Sequence, residues 1–467
     1  MKNIKKLSGK RFPLISGRLY NRKILIIACA VIITLGFAAC GDKKTGGPGL
    51  LDSNYYTVLF DNDGGWPVTN HQIVEKDGKA EKPNDPEKAI AGLHRGGSVA
   101  SVFRGWFHEG SEWDFESDFV TGNITLTAEW EDPSPVYLDG TEGDNIIEKA
   151  IKYIGTEEDP EDYTLVLDKS VDIRGLVLNE GNVKLTIMGL YEEKTISLSA
   201  GQSDALFALG NNAALTLGEN ITLRGKENNS DAVVTLNSAS AGFRMLPGSK
   251  ITGNSIDISG NTSTHQINTA AAVEIINGVM TMEGGEITGN RSDKAGGKEI
   301  SAYHYGHYAT SGAVTVYSNG VFTMEGGSIT GNKGGVAELV YVVDSNPNPG
   351  GSFFLSGDAA VGSIALLAES KKPVKHITVA SAWNPESNVT LHLSGGNNYM
   401  DTVSDRFDSQ RLVDVDSLSG SAGPEAIGRF TLGIFCTHTQ ATNDKPNISK
   451  THKISAAGSS IGKLVQN

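Results

Sequence analysis

Residues 277–290 read NGVMTMEGGEITGN, and residues 319–332 read NGVFTMEGGSITGN. Twelve of the fourteen positions agree at an offset of 42. The agreement extends backward, Ala272-Val273-Glu274-Ile275 against Ala313-Val314-Thr315-Val316, with one residue inserted. A weaker copy, FRMLPGSKITGN, occupies residues 243–254, and a fainter one, ALTLGENITLRG, residues 214–225. Their last glycines lie 28, 36 and 42 residues apart. Such uneven spacing suits stacked coils of roughly 20–22 residues with loops of variable size, not a fixed helical repeat.

Within one coil, Phe322-x-Met324 and Ile329 place a side chain inward at alternate positions, the period of a strand. Gly326-Gly327 and Gly331-Asn332 interrupt them, and Gly and Asn accept positive φ most cheaply. Each coil is therefore expected to be a few short strands joined by sharp corners. Equivalent strands of successive coils should pair in parallel, stacking Met282 on Met324 and Ile287 on Ile329. Asn254, Asn290 and Asn332 should form a hydrogen-bonded ladder at one corner. The corners account for the 56 glycines among 467 residues.

Residues 144–154 (DNIIEKAIKYI) set Ile146, Ile147, Ala150, Ile151 and Ile154 at helical spacing on one face. A lone amphipathic helix before a strand array should cap its exposed apolar end, with residues 163–167 (YTLVL) as the first strand. Residues 141–435 resemble the right-handed, single-stranded parallel β-helix of pectate-lyase-like proteins. They resemble still more the Gly-rich β-helical surface lipoproteins of host-associated bacteria. Handedness is implied by that resemblance alone. Residues 436–467 would be a C-terminal tail or cap.

Residues 54–131 have a different character and hold four of the five tryptophans, Trp66, Trp106, Trp113 and Trp130. Residues 55–60 (YYTVLF) read as a strand ending at the turn cluster Asp61-Asn62-Asp63-Gly64-Gly65. Lys82-Pro83 and Pro86, Phe103-x-Gly105-Trp106, Trp113-Asp114-Phe115 and Leu126-x-Ala128-x-Trp130 follow. This set resembles the Listeria–Bacteroides repeat, or internalin B-repeat, a small β-grasp-like module of surface proteins that serves as a spacer or adhesion-related unit. Residues 87–102 exceed the family's usual link and read as an extruded loop. The tryptophans are expected to fill the core of a small sheet.

The N-terminus reads as an address. Residues 1–39 carry eight basic residues, Lys2, Lys5, Lys6, Lys10, Arg11, Arg18, Arg22 and Lys23, and no acidic one. An apolar run, residues 24–39 (ILIIACAVIITLGFAA), leads to Cys40-Gly41. It is shorter than the roughly 20 residues of a membrane span. The pattern resembles a lipoprotein signal peptide, which implies cleavage between Ala39 and Cys40, lipidation of Cys40 and a membrane anchor there. The usual Leu three residues before the Cys is replaced by Phe37, as in the relaxed signals of spirochaetes. An uncleaved signal anchor is the alternative reading. Residues 40–53, beginning CGDKKTGGPG, read as a flexible tether.

Removing the eight positive charges from the total of −14 leaves a body near −22. That acidity excludes phosphate-backbone binding, so no nucleic-acid partner is expected. Three cysteines, Cys29, Cys40 and Cys436, make neither a disulfide framework nor a cysteine metal site. No motif calls for a cofactor. The polygalacturonase signatures N-T-D, D-D, G-H-G and R-I-K do not occur. The acidic run of residues 157–162, with no basic residue near it in sequence, reads as a solvated loop or a loose Ca²⁺ site. Tyr303, His304, Tyr305, His307 and Tyr308 form an aromatic loop that either binds a ligand or lies on the coil surface. The chain therefore reads as a non-enzymatic, exported lipoprotein of the cell surface or the outer membrane and periplasm. It would present a β-helix to host or envelope proteins or glycans. A β-helical polysaccharide lyase or hydrolase and a structural envelope component are the alternatives.

Overall fold

The computed structural model describes residues 54–96, 99–138, 145–157, 162–179, 182–257, 270–295, 298–299, 310–334, 337–344, 352–368, 376–380, 383, 388–395, 411–415, 426–427, 429–436, 452–456 and 461–466. The described chain is mainly β, with the helix Ile146–Thr156 as its one long helical element. Most strands pair in parallel.

The repeat segment predicted around 277 and 332 forms layers. In one layer the chain runs through Val273–Met282, turns at Glu283-Gly284-Gly285, and enters Glu286–Thr288. The next layer, Ser311–Met324 and Ser328–Ile329, lies beside it in parallel register. Val273 pairs with Val314, Asn277 with Asn319, Met282 with Met324 and Ile287 with Ile329. The sequence repeat is thus a spatial repeat. Register offsets between layers run from 22, at Tyr163 and Leu185, to 42, at Ile287 and Ile329.

Among the described residues two long sheets collect these strands, one of eighteen and one of seven. An unbroken inner column passes through Leu215, Phe243, Met280, Phe322, Phe353, Ile377 and Val413. Every member is buried, and Phe322 stacks on Phe353 at 5.2 Å. Parallel layering therefore continues beyond residue 350, as far as Phe430–Cys436. The strands His452–Ala456 and Ile461–Gln466 form an antiparallel hairpin, whose second strand pairs antiparallel with Arg411–Val415.

The corners are built as the sequence predicts. Gly285 and Gly327 adopt φ of 82° and 79°. They are stacked: a Cβ on Gly327 would stand 2.6 Å from the carbonyl oxygen of Gly285. At the opposite corner the asparagine ladder forms. Asn254 N donates to Asn290 Oδ1 at 3.1 Å, and Asn290 N donates to Asn332 Oδ1 at 3.1 Å. Asn290 Nδ2 also reaches Asn332 Oδ1 at 3.0 Å. Below Asn332 the next rung is Glu338, whose Oε1 accepts from Asn332 N at 2.9 Å. Buried amides that satisfy backbone groups in register fix each layer on its neighbour.

The helix Ile146–Thr156 is capped by Asn145, whose Oδ1 accepts from Ile147 N and Glu148 N. Ile147, Ala150 and Ile154 are buried in the hydrophobic core of the layered body, and Ile146 and Ile151 pack against it. The predicted apolar face thus covers the array.

The N-terminal segment forms a five-stranded sheet in the order Gln72–Glu75, Tyr55–Asp61, Ile124–Glu131, Val102–His108, Ser111–Glu112. Its core centres on Trp106, which meets Phe60 and Phe103 edge-on at 5.0 and 5.7 Å. Trp113 and Trp130 pack against the same core. Trp66 does not: it is 57% exposed, its backbone bridged to Glu87 rather than to a strand of the five-stranded sheet.

The stretch 87–102 departs from its expected role as an extruded loop. It carries the strand Gly92–Arg95, which pairs antiparallel with Tyr163–Leu167, Leu93 opposite Leu165. Leu93 is fully buried in the core of the layered body, not in that of its own segment. Tyr191 adds a second joint, its hydroxyl accepting from Ala89 N at 3.1 Å and donating to Gly64 O at 3.0 Å. Strand-forming Leu-His in the insertion found an open sheet edge at the first layer, and an unpaired edge is strongly disposed to acquire a strand. Residues Asn54–Asn467 accordingly form one compact unit.

Candidate functional site

Ala39 and Cys40, the residues 1–53 that contain them, and Tyr303, His304, Tyr305, His307 and Tyr308 lie outside the described residues. Of the acidic run 157–162, Glu157 and Asp162 are described. Basic residues from elsewhere in the chain reach both. Arg95 Nη2 lies 2.6 Å from Glu157 Oε2, and Lys184 Nζ lies 3.9 Å from Asp162 Oδ1. Arg95 arrives on the inserted strand, from about sixty residues upstream, which no local pattern reveals. Among the described residues no three His, Cys, Asp or Glu side chains converge closely enough to hold a metal ion.

The structure instead brings titratable groups together on the outward face of the eighteen-stranded sheet. Along a strand the side chains alternate, so residues between two inward apolar ones point outward. Thr235, Glu274 and Thr315 occupy this outward row in direct register. Tyr317, two residues beyond Thr315, donates from its hydroxyl to Glu274 Oε1 at 2.8 Å. Tyr317 also packs against a small apolar cluster of Ala337, Ala365 and Leu367.

Burial pushes the Glu274 carboxyl up to about 7. The Tyr317 hydroxyl opposes that rise and the charge of Asp231 adds to it. Asp231 is itself raised, first by burial and then by Asp204. Thr315 is fully buried, and its Oγ1 finds no hydrogen-bond partner among the described residues. The row continues through Val340 and Ala365 to His392, whose imidazole burial lowers to about 4. A carboxyl poised near neutrality beside a phenol can donate or accept a proton or a hydrogen bond. Sequence inspection did not single out Glu274. Its signal was present, since the near-perfect copy carries Thr315 in the same place between two apolar residues.

A concavity of about 610 Å³ follows the double-glycine corner. Glu193, Glu283, Glu286 and Asp358 line it with Lys250. Lys250 pairs with Glu286 at 3.5 Å, and Glu283 with Arg244 at 2.5 Å.

Residues 56–129 match the family model of the Listeria-Bacteroides repeat domain, and the five-stranded N-terminal segment is such a domain. Two curated relatives come from Evansella cellulosilytica. One, named "Putative Gly-rich membrane protein", is 31% identical over 111 residues, covering 23% of this chain and 12% of the relative. The other, named "Putative membrane protein", is 36% identical over 81 residues, covering 17% of this chain and 10% of the relative. The chain thus spans only about a tenth of the length of the curated relatives it matches. No solved structure gives a significant match. Among the described residues no helix is long and apolar enough to cross a membrane. The domain and the relatives' names agree with a protein of the cell surface.

Proposed function

We propose that this is an exported, non-enzymatic lipoprotein, anchored through lipid on Cys40. It presents a right-handed parallel β-helix of the pectate-lyase-like class for adhesion or for protein or glycan interaction. The observation that carries this reading is the shared sheet: the inserted strand Gly92–Arg95 joins the repeat domain to the first layer of the body. A domain that continues into a stacked array makes a stiff projection rather than a bead on a string. The basic and apolar N-terminus before Cys40 supports export and anchoring. Radiolabelled palmitate should enter the wild-type chain in its native host and be absent from Cys40→Ser. Equal incorporation in the two refutes the anchor. Cells displaying the protein should bind immobilised host matrix or glycan better than cells lacking it, and equal binding refutes the adhesive role.

A β-helical polysaccharide lyase or hydrolase is the second reading, favoured by the four carboxylates and Lys250 of the corner groove. Release of reducing or unsaturated ends from plant and host polysaccharides would establish it. A structural role in the envelope would show as recovery of stable envelope partners with the purified protein.

A further inference from the structure

The first layer of the body leaves one strand edge open. That layer consists of Tyr163–Leu167, Val171–Ile173 and Leu176–Leu178, which pair onward with Lys184–Gly189, Lys194–Leu198 and Phe207–Leu209. The inserted strand Gly92–Arg95 covers the outer edge of Tyr163–Leu167. Among the described residues no strand pairs with the outer edge of Leu176–Leu178.

The hydrogen bonds show which groups face outward there. Leu176 N donates to Leu206 O at 3.0 Å, and Leu178 O accepts from Gly210 N at 2.8 Å. Along a paired strand the backbone groups of successive residues point to opposite sides, so the N–H and C=O of Val177 point away from Phe207–Leu209. Val177 is 63% exposed. The strand reads Leu-Val-Leu, and its pairing carries no bulge, so none of the usual devices that blunt a sheet edge is present.

A groove of about 660 Å³ runs beside this edge. Leu176, Val177 and Leu178 form one wall, and Ile151, Lys152 and Gly155 of the capping helix form the other. Gly155 adds no side chain to the lining. The helix from Glu148 to Thr156 is about 12 Å long, which matches about four residues of an extended strand. At one end Arg174 Nε lies 2.7 Å from Glu148 Oε1, tying the helix to the lead-in of the strand. That pair neutralises itself, so Lys152 is the unpaired charge of the lining among the described residues.

We propose that this edge is a strand-addition site for a partner protein. An extended segment of the partner enters the groove and pairs backbone to backbone with Val177, setting apolar side chains against Ile151 and an acidic one beside Lys152. The open groups recur at strand spacing, which another strand satisfies and a small solute does not. The chain itself closes the edge of Tyr163–Leu167 in this manner. Such a site gives the protein interaction proposed above a place on the molecule. It requires neither export nor lipid on Cys40, so the two can fail separately.

The test pans a phage-displayed library of random peptides against the full chain, with the Gly155→Leu protein as the subtracting bait. Gly155 lies within the helix, where Leu is the better helix former, so this substitution fills the groove without weakening the fold. The most enriched peptide, made synthetically, should bind the wild type in the micromolar range and Gly155→Leu roughly tenfold more weakly or worse. The Val177 amide should exchange rapidly in the free protein and roughly tenfold more slowly with the peptide bound. Val177→Pro, which deletes an N–H that the fold does not use, should abolish binding, whereas Val177→Thr, which keeps it, should bind as the wild type does. Lys152→Glu should weaken binding about fivefold, the scale of an exposed ion pair. Enrichment no greater than on Gly155→Leu, a bound peptide that leaves Val177 exchange unchanged, or undiminished binding to Val177→Pro overturns the proposal. Val177 protection that grows with the concentration of the protein alone would seat a second copy at the edge and overturn it too.

Discussion

Leu93→Ala tests whether the insertion of the repeat domain is structurally part of the layered body. Leu93 is fully buried, lies opposite Leu165 and belongs to the body's core cluster. Truncating a buried leucine leaves a cavity and costs about 2–5 kcal/mol. The lower half of that range suits this site, because an edge strand can settle inward, so about 3 kcal/mol is expected. The strand protects Tyr163–Leu167, the first strand of the body, and local opening there should become easier by that amount. Amide hydrogen exchange in the folded protein reads it directly, since about 3 kcal/mol is a more than hundredfold change in the opening equilibrium. Exchange across 163–167 should accelerate by roughly that factor, while exchange across 389–395, several layers away, should stay as in the wild type. Unchanged exchange at 163–167 would refute the coupling and make the strand a passive neighbour. Acceleration at both places would point to global destabilisation and refute the local account too.

Asn290→Ala removes donors to Ile251 O, Thr288 O and Asn332 Oδ1 and the acceptor used by Asn254 N. It should lower stability by about 2–4 kcal/mol in a urea titration, since orphaned buried groups lose their full solvation. Gly327→Ala meets both a positive φ and the carbonyl of Gly285, and about 2 kcal/mol or more is expected from the same titration. Glu274 should make stability fall as pH rises from about 4.5 through about 7, because in that window the folded carboxyl keeps a proton that the unfolded one releases. The loss approaches about 3 kcal/mol above pH 7, and Glu274→Gln should remove it. Melting curves of both proteins at pH 4.5 and 8 compare the two, and parallel shifts would show that Glu274 is not the group responsible.

Layer pairing, glycine corners, the asparagine ladder and the capping helix were legible because each is written locally. A period of two, a Gly-Gly pair or a helical face needs only neighbouring residues to be recognised. The destination of the insertion was not legible. Leu93-His94 is a weak strand signal, and what decides its conformation is a sheet edge more than sixty residues downstream. Glu274 failed to stand out for a related reason. An isolated acidic residue in a strand reads as solvent-facing, and only the packing above the row shows that burial holds it near neutrality. The tryptophans were read rightly as core at Trp106, yet their unpaired nitrogens become visible only in three dimensions.

The two best-matched layers, Val273–Thr288 and Ser311–Ile329, differ little in sequence and share one register. A duplication spanning one of them would insert a complete storey whose inner column, corners and asparagine rung fit those above and below. The molecule would grow by about 4.8 Å, the spacing between strands, with the capped first layer untouched. The capping helix and inserted strand cover the first layer, and an antiparallel hairpin pairs with the late strand Arg411–Val415, so an internal duplication would lengthen the array between them. Duplication of a segment encoding one such layer is then a direct route to variants of graded reach.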